Sequence, residues 1–281
     1  MVVKLWTKLW STYVIKVQRR TDAIAVSRRL HDESRTSHRR EAIVILTILM
    51  GLFTLRFFGS VEWLDDWAAV FDALGLEQRS REMRQWFRSG PDAQFRGQLY
   101  WASARAIVYL VFPFLVVKLV LRRRLSDYGL RLPRLGPAVR DYGLMFLAIL
   151  PVVVFVSKNR DFRLTYPFYR PAENEGLWPY FWAWEALYAL QFVGLEFFYR
   201  GFMVHGLKDR MGYSAVYAMM IPYLMIHFGK PPAEALGSII AGFVLGTLSL
   251  KTGSIWGGAL LHVAVALTMD LLSLWHMGRL F

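Results

Sequence analysis

The sequence predicts an all-α fold: a polytopic bundle of about seven membrane-spanning helices with further helices lying at the membrane surface. Three observations predict it. The 281 residues are 55% hydrophobic and 16% aromatic, with mean hydropathy +0.31, which suits a bilayer better than a soluble globule. Apolar runs of about the 20 residues needed to cross roughly 30 Å of hydrocarbon recur along the chain. The basic residues fall between these runs, in alternating connections, as membrane topology demands.

The first 20 residues, MVVKLWTKLWSTYVIKVQRR, are not a secretory signal, because lysines interrupt any apolar stretch. Leu5, Leu9, Tyr13 and Val17, with Trp6 and Trp10, instead form an apolar stripe at helical spacing, opposed by Lys4, Lys8, Lys16 and Arg19. This pattern predicts an interfacial helix on anionic lipid. The expected spans follow as Ala42–Phe58, Leu99–Leu121, Tyr142–Ser157, Tyr180–Val204, Ala215–Phe228, Ala235–Leu250 and Ile255–Trp275. Trp63, Trp67 and Phe71 predict a second surface helix in the first long connection. Three regions result: a basic N-terminal region at 1–40, N-terminal spans and loops at 41–177, and a core at 178–281.

Lysine and arginine set the orientation. Residues 1–40 carry ten basic and three acidic side chains, and 122–141 carry six and two, so both belong in the cytoplasm. The connection at 59–97 has seven acids and five bases and belongs outside, as does the mixed loop at 159–176. The N-terminus is therefore expected to be cytoplasmic, in an integral protein of a bacterial cytoplasmic membrane. A net charge of +13 without a soluble basic and aromatic face makes nucleic acid an unlikely partner, whereas membrane lipids are expected ones. With no cysteine, a disulfide framework and a thiolate metal site are both excluded.

Ionisable residues inside spans are costly and are functional candidates by default. Glu196 and Arg200, spaced i, i+4, can pair on one helix face, and the bland reading is an ion pair that fixes packing. Glu185 lies three turns before Glu196, on the same face. His227 ends the fifth span and His262 lies inside the seventh, with Asp270 two turns further along. A lone buried histidine is more often a packing residue than a ligand. Two histidines and a glutamate from three helices, however, match chemistry that makes water a nucleophile. They would either hold a metal such as Zn²⁺ or act without one, the glutamate as base and the histidines positioning water and an oxyanion. Gly242 and Gly246 form a GxxxG, and Gly237 with Ala241 a second small pair, which predict close helix packing.

The sequence LEFFYRG, Leu195 to Gly201, with YLMIH, Tyr223 to His227, and HVAVA from His262, resembles the motifs of the CPBP intramembrane proteases. That family includes CAAX proteases, bacteriocin-processing (Abi-type) proteins and type II Ras-converting enzymes. The resemblance covers about 178–274. It implies an intramembrane endopeptidase, metallo- or glutamic, acting on membrane-embedded or lipid-anchored protein or peptide substrates. Catalytic roles would fall to Glu196, His227 and His262, with Arg200 supporting Glu196. Two positions depart from the pattern: Leu195 stands where the first of two glutamates is expected, and Ala266 where a small polar residue is expected. Glu196 would then serve as base, and Asp270 would supply the missing polar group. The competing reading is a catalytically degenerate relative that binds, scaffolds or confers immunity. A transporter, with Glu196, Arg200 and Asp270 lining an ion path, is weakened by the lack of inverted repeats.

Overall fold

The computed structural model describes residues 2–31, 35–171 and 176–280; residues 172–175 of the expected outer loop and the Leu5 side chain of the apolar stripe lie outside what is described. Among the described residues there is helix and no strand. The N-terminal rod runs through α1 (Val2–Trp10), a π-helical turn at Ser11–Ile15 and α2 (Lys16–His31). Its apolar stripe docks on the bundle rather than facing only lipid. Val14 and Val17 are buried in the main core, Trp10 stacks on Phe243 at 6.0 Å between centroids, and the Tyr13 hydroxyl donates to Asp141 Oδ1 at 3.0 Å. Trp6 remains exposed, in keeping with an interfacial position.

The first span is α3 (Arg35–Phe58). α4 (Leu64–Ala73) and α5 (Glu77–Arg88) follow as a surface pair. Trp63 and Trp67 pack on Phe57 and Phe58, centroids 5.2 and 4.3 Å apart, so the expected aromatic face closes over the end of α3. Across the pair, Arg88 reaches Asp65 at 2.7 Å. α6 (Ala93–Ala106) continues through π-helical and α-helical turns, including α7 (Phe112–Leu115), as one span to Val120. α8 (Leu135–Val156) and the short α9 (Arg160–Thr165) precede α10 (Tyr180–Glu196), which passes into a π-helical stretch, Phe197–Val204, and then α11 (His205–Met211). α12 (Ser214–Met225), α13 (Pro232–Thr252) and α14 (Trp256–His276) complete the order.

Among the described residues, five helices are long and apolar enough to cross a membrane: His38–Phe58, Ala93–Val120, Gly136–Val156, Pro232–Thr252 and Trp256–His276. The other two expected spans differ for separate reasons. The segment from Tyr180 to Val204 has the length, but Glu185, Glu196 and Arg200 depress its hydropathy. α12 is apolar but has only 12 residues, a rise of about 18 Å, and it ends before the residues expected to close the fifth span.

Helix α10 packs against α6 and α14, α12 against α13, and α14 against α8. The main core surrounds the π-helical stretch, where Phe197, Phe198, Tyr199 and Phe202 are fully buried. A second, aromatic cluster joins Trp184 and Tyr188 to Tyr169 and Phe181. The GxxxG does what its spacing predicts. A Cβ on Gly246 would meet Val216 Cγ1 at 2.8 Å, and one on Gly242 would meet Met220 Cγ at 3.1 Å, so α12 seats against bare backbone. The second small pair does not act this way, since Gly237 faces nothing within 4 Å.

Candidate functional site

The polar centre is assembled from the end of α10, the π-helical stretch after it, α12 and α14. Glu196 is the last residue of α10 and Arg200 lies within the π-helical stretch; both are buried, with 1% and 0% of the side chain exposed. π-helical insertions are rare and gather at functional sites, because the extra residue per turn re-aims the side chains that follow. Here the insertion begins directly after Glu196. Gly201 fits within it because a Cβ there would meet the Tyr128 carbonyl oxygen at 2.7 Å.

Glu196 Oε1 stands 3.0 Å from Arg200 Nη1 and 2.9 Å from His262 Nδ1. Both are ion-pair distances, yet the angles miss those of a straight hydrogen bond, so Oε1, Nδ1 and the Arg200 nitrogens complete none. Catalytic contacts are often misaligned before substrate binds. An ionised carboxylate only accepts, so an imidazole held against it carries its proton on Nδ1 and leaves Nε2 as the free lone pair. That Nε2 lies 3.1 Å from the Tyr223 hydroxyl. Phe192 stacks on the His262 ring, 5.5 Å between centroids at 11°, and fixes its plane.

Tyr223 ties the remaining parts together. The Arg200 guanidinium lies over its ring, 3.9 Å from the centroid. His227 Nδ1 lies 2.7 Å from the Tyr223 carbonyl oxygen, and the two rings meet edge to face at 4.8 Å. His227 is thus held by the chain one turn earlier, in the turn that follows α12 rather than on the helix itself. His227 and His262 are close enough to act on each other electrostatically.

The close approach of α14 depends on glycine. A Cβ on Gly258 would strike Glu196 Oε2, and one on Gly257 would strike the Tyr142 ring. Bare backbone at Gly258 admits the glutamate carboxylate beside α14, and at Gly257 it admits the Tyr142 ring.

Glu196, Arg200 and His262 therefore come together as expected, with His227 next to them. Glu185 and Asp270 do not join them. Asp270, expected to serve His262, interacts with Glu185 of α10 instead. Glu185 Oε1 and both Asp270 oxygens are buried without a hydrogen-bond partner among the described residues. The departures from the expected motif are built into apolar surroundings. Leu195 lies in the main core, and Ala266 lies in the aromatic cluster with Trp184 and Tyr188.

Among the described residues, no three His, Asp or Glu side chains gather as a metal-holding group. Of Glu196, His227 and His262, expected as a ligand set if a metal is held, Glu196 turns toward His262 an oxygen that also faces the Arg200 cation. Tyr223 is the residue that inspection of the sequence undervalued. It is the aromatic that opens YLMIH, and its spacing of four from His227 was the available signal.

Residues 177–268 match the family described as type II CAAX prenyl endopeptidase Rce1-like. No curated protein and no solved structure matches the chain.

Proposed function

We propose, from the premise that residues 177–268 form a type II CAAX prenyl endopeptidase Rce1-like domain, that this integral membrane protein hydrolyses peptide bonds of membrane-embedded or lipid-anchored substrates at the Glu196–His262 pair. The observation that carries this reading is the division of exposure. Glu196 has 1% of its side chain exposed and the Arg200 cation beside it, whereas His262 retains 17%. His262 is therefore the more accessible of the two, and in this reading it is the group that meets water.

In this mechanism Glu196 holds His262 in the Nδ1–H tautomer and steadies the imidazolium that forms, as the acid does in a catalytic triad. His262 Nε2 takes a proton from water as the new oxygen–carbon bond forms at the substrate carbonyl. It returns that proton to the amine as the carbon–nitrogen bond breaks. The Tyr223 hydroxyl, polarised by the guanidinium over its ring, donates to the oxyanion. His227 Nε2, free because Nδ1 is engaged with the Tyr223 carbonyl, orients the substrate or the water. Arg200 keeps Glu196 ionised in an apolar surround. No step runs through a metal ion.

A second reading is favoured by Leu195 and Ala266: a binding or scaffolding relative that has lost the expected polar groups. Purified protein in proteoliposomes, presented with membrane-anchored peptides, separates the two. Cleavage that persists in a chelator and disappears in His262→Ala supports the peptidase. Binding of the same peptides without any cleavage supports the scaffold.

A further inference from the structure

A cavity lies away from Glu196 and His262, where the N-terminal rod crosses the helix ends assigned to the cytoplasmic side. It has a volume of about 510 Å³, within the range of ligand sites. Eight lysines and arginines line it against two aspartates. Asp209 already serves Arg28 and Arg40, at 2.6 and 2.9 Å. Lys251 is taken by Asp141 at 3.0 Å. Among the described residues, Lys16, Arg20 and Arg123 in the wall have no anionic partner.

The inner wall is as unbalanced as the rim. Lys208 Nζ lies 2.7 Å from His205 Nδ1, an uncharged acceptor, in place of a carboxylate. Burial, with Arg28 and Arg40 adding to it against Asp209, lowers the Lys208 ammonium from its usual range. The Tyr128 ring is 1% exposed and its hydroxyl completes no hydrogen bond, nor does Arg40 Nε, although the guanidinium carbon is 5.8 Å from the Tyr128 ring centroid. Buried polar groups left in this condition are rare and call for a partner. Uncompensated cations, spare donors and room for a small polyanion share one chemistry.

We infer that this cavity is a binding site for a phosphate group, carried either by an anionic lipid whose headgroup enters from the membrane surface or by a small soluble phosphate. Val17, Ile24 and Leu250 in the wall give the cavity an apolar margin beside the exposed Trp6 and Trp10 of the same rod. The site has no part in the peptidase mechanism and stands or falls independently of it.

The test uses the full chain and two variants, Lys16→Gln and Arg123→Gln, which alter exposed side chains without anionic partners. Each is titrated in micelles of a phosphate-free maltoside detergent with phosphatidylglycerol, and separately with inorganic phosphate and pyrophosphate. Thermal midpoint and native mass spectrometry report binding. Wild type should bind and gain stability, and each variant should bind about fivefold more weakly. A response to phosphatidylglycerol alone assigns a lipid headgroup; one to the inorganic anions, alone or as well, assigns a site for the phosphate group itself. No response to any probe, or equal affinity in wild type and both variants, overturns the inference.

Discussion

His262 Nδ1 stands 2.9 Å from Glu196 Oε1, and the histidine keeps 17% of its side chain exposed against 1% for the glutamate. The remaining polar contacts follow from this pairing. Arg200 meets the same glutamate oxygen, and Tyr223 meets the far nitrogen of the ring.

Tyr223→Phe keeps the ring under Arg200 and the carbonyl that holds His227, and removes only the hydroxyl. If that hydroxyl donates to the oxyanion, kcat should fall by about 10²–10³-fold, with KM little changed. Steady-state kinetics on a cleaved peptide measures the split; a change confined to KM would assign the hydroxyl to binding.

Arg200→Met should destabilise the protein by roughly 3–5 kcal/mol, because it leaves the Glu196 carboxylate buried without its cation. Adding Glu196→Gln removes the stranded charge, so the double variant should recover much of the loss. Denaturant unfolding in micelles checks both, and additive losses would mean that the two side chains are not coupled.

Gly258→Ala places a methyl against Glu196 Oε2, whereas Gly237→Ala adds one where nothing lies within 4 Å. The first should displace the carboxylate from His262 and lower kcat by at least about tenfold. The second should leave activity unchanged. Parallel assays on the two variants compare the same chemical change at a tight position and an open one.

His205 is 2% exposed and lies beyond the spans, with Lys208 Nζ 2.7 Å from Nδ1 and Ser249 Oγ 3.0 Å from Nε2. Burial, then the Lys208 and Arg131 cations, hold its pKa well below the usual histidine range. The unfolded chain takes up a proton near pH 6.5 that the folded chain refuses. The stability tied to His205 is therefore present above about pH 6.5 and is lost as pH falls below it. Thermal midpoints across that range should decline less in His205→Gln than in wild type, since the amide can accept from Lys208 and donate to Ser249.

Much of this arrangement was legible in the sequence because it rests on local spacing. The i, i+4 relation of Glu196 and Arg200, the GxxxG at Gly242 and Gly246, and the aromatic face of Trp63 and Trp67 each survive into the fold. What was not legible depends on where a helix changes its winding or which neighbour it meets. The π-helical stretch after Glu196 has no residue signature apart from its position. α12 ends at Met225, so His227 sits in a turn that periodicity extended as helix. Asp270 shares a helix with His262 but turns to Glu185, a choice made by the packing of α10 on α14. Gly237 and Ala241 have helix-packing spacing, yet no helix meets Gly237.

The central claim is that Glu196 and His262 act together on a peptide bond. It is tested most directly by mapping new protein termini in membranes of cells producing wild type, Glu196→Gln or His262→Ala at equal, folded levels. Termini that appear with wild type and vanish in both variants are the predicted result. A set of termini that is the same with wild type and with both variants would contradict it.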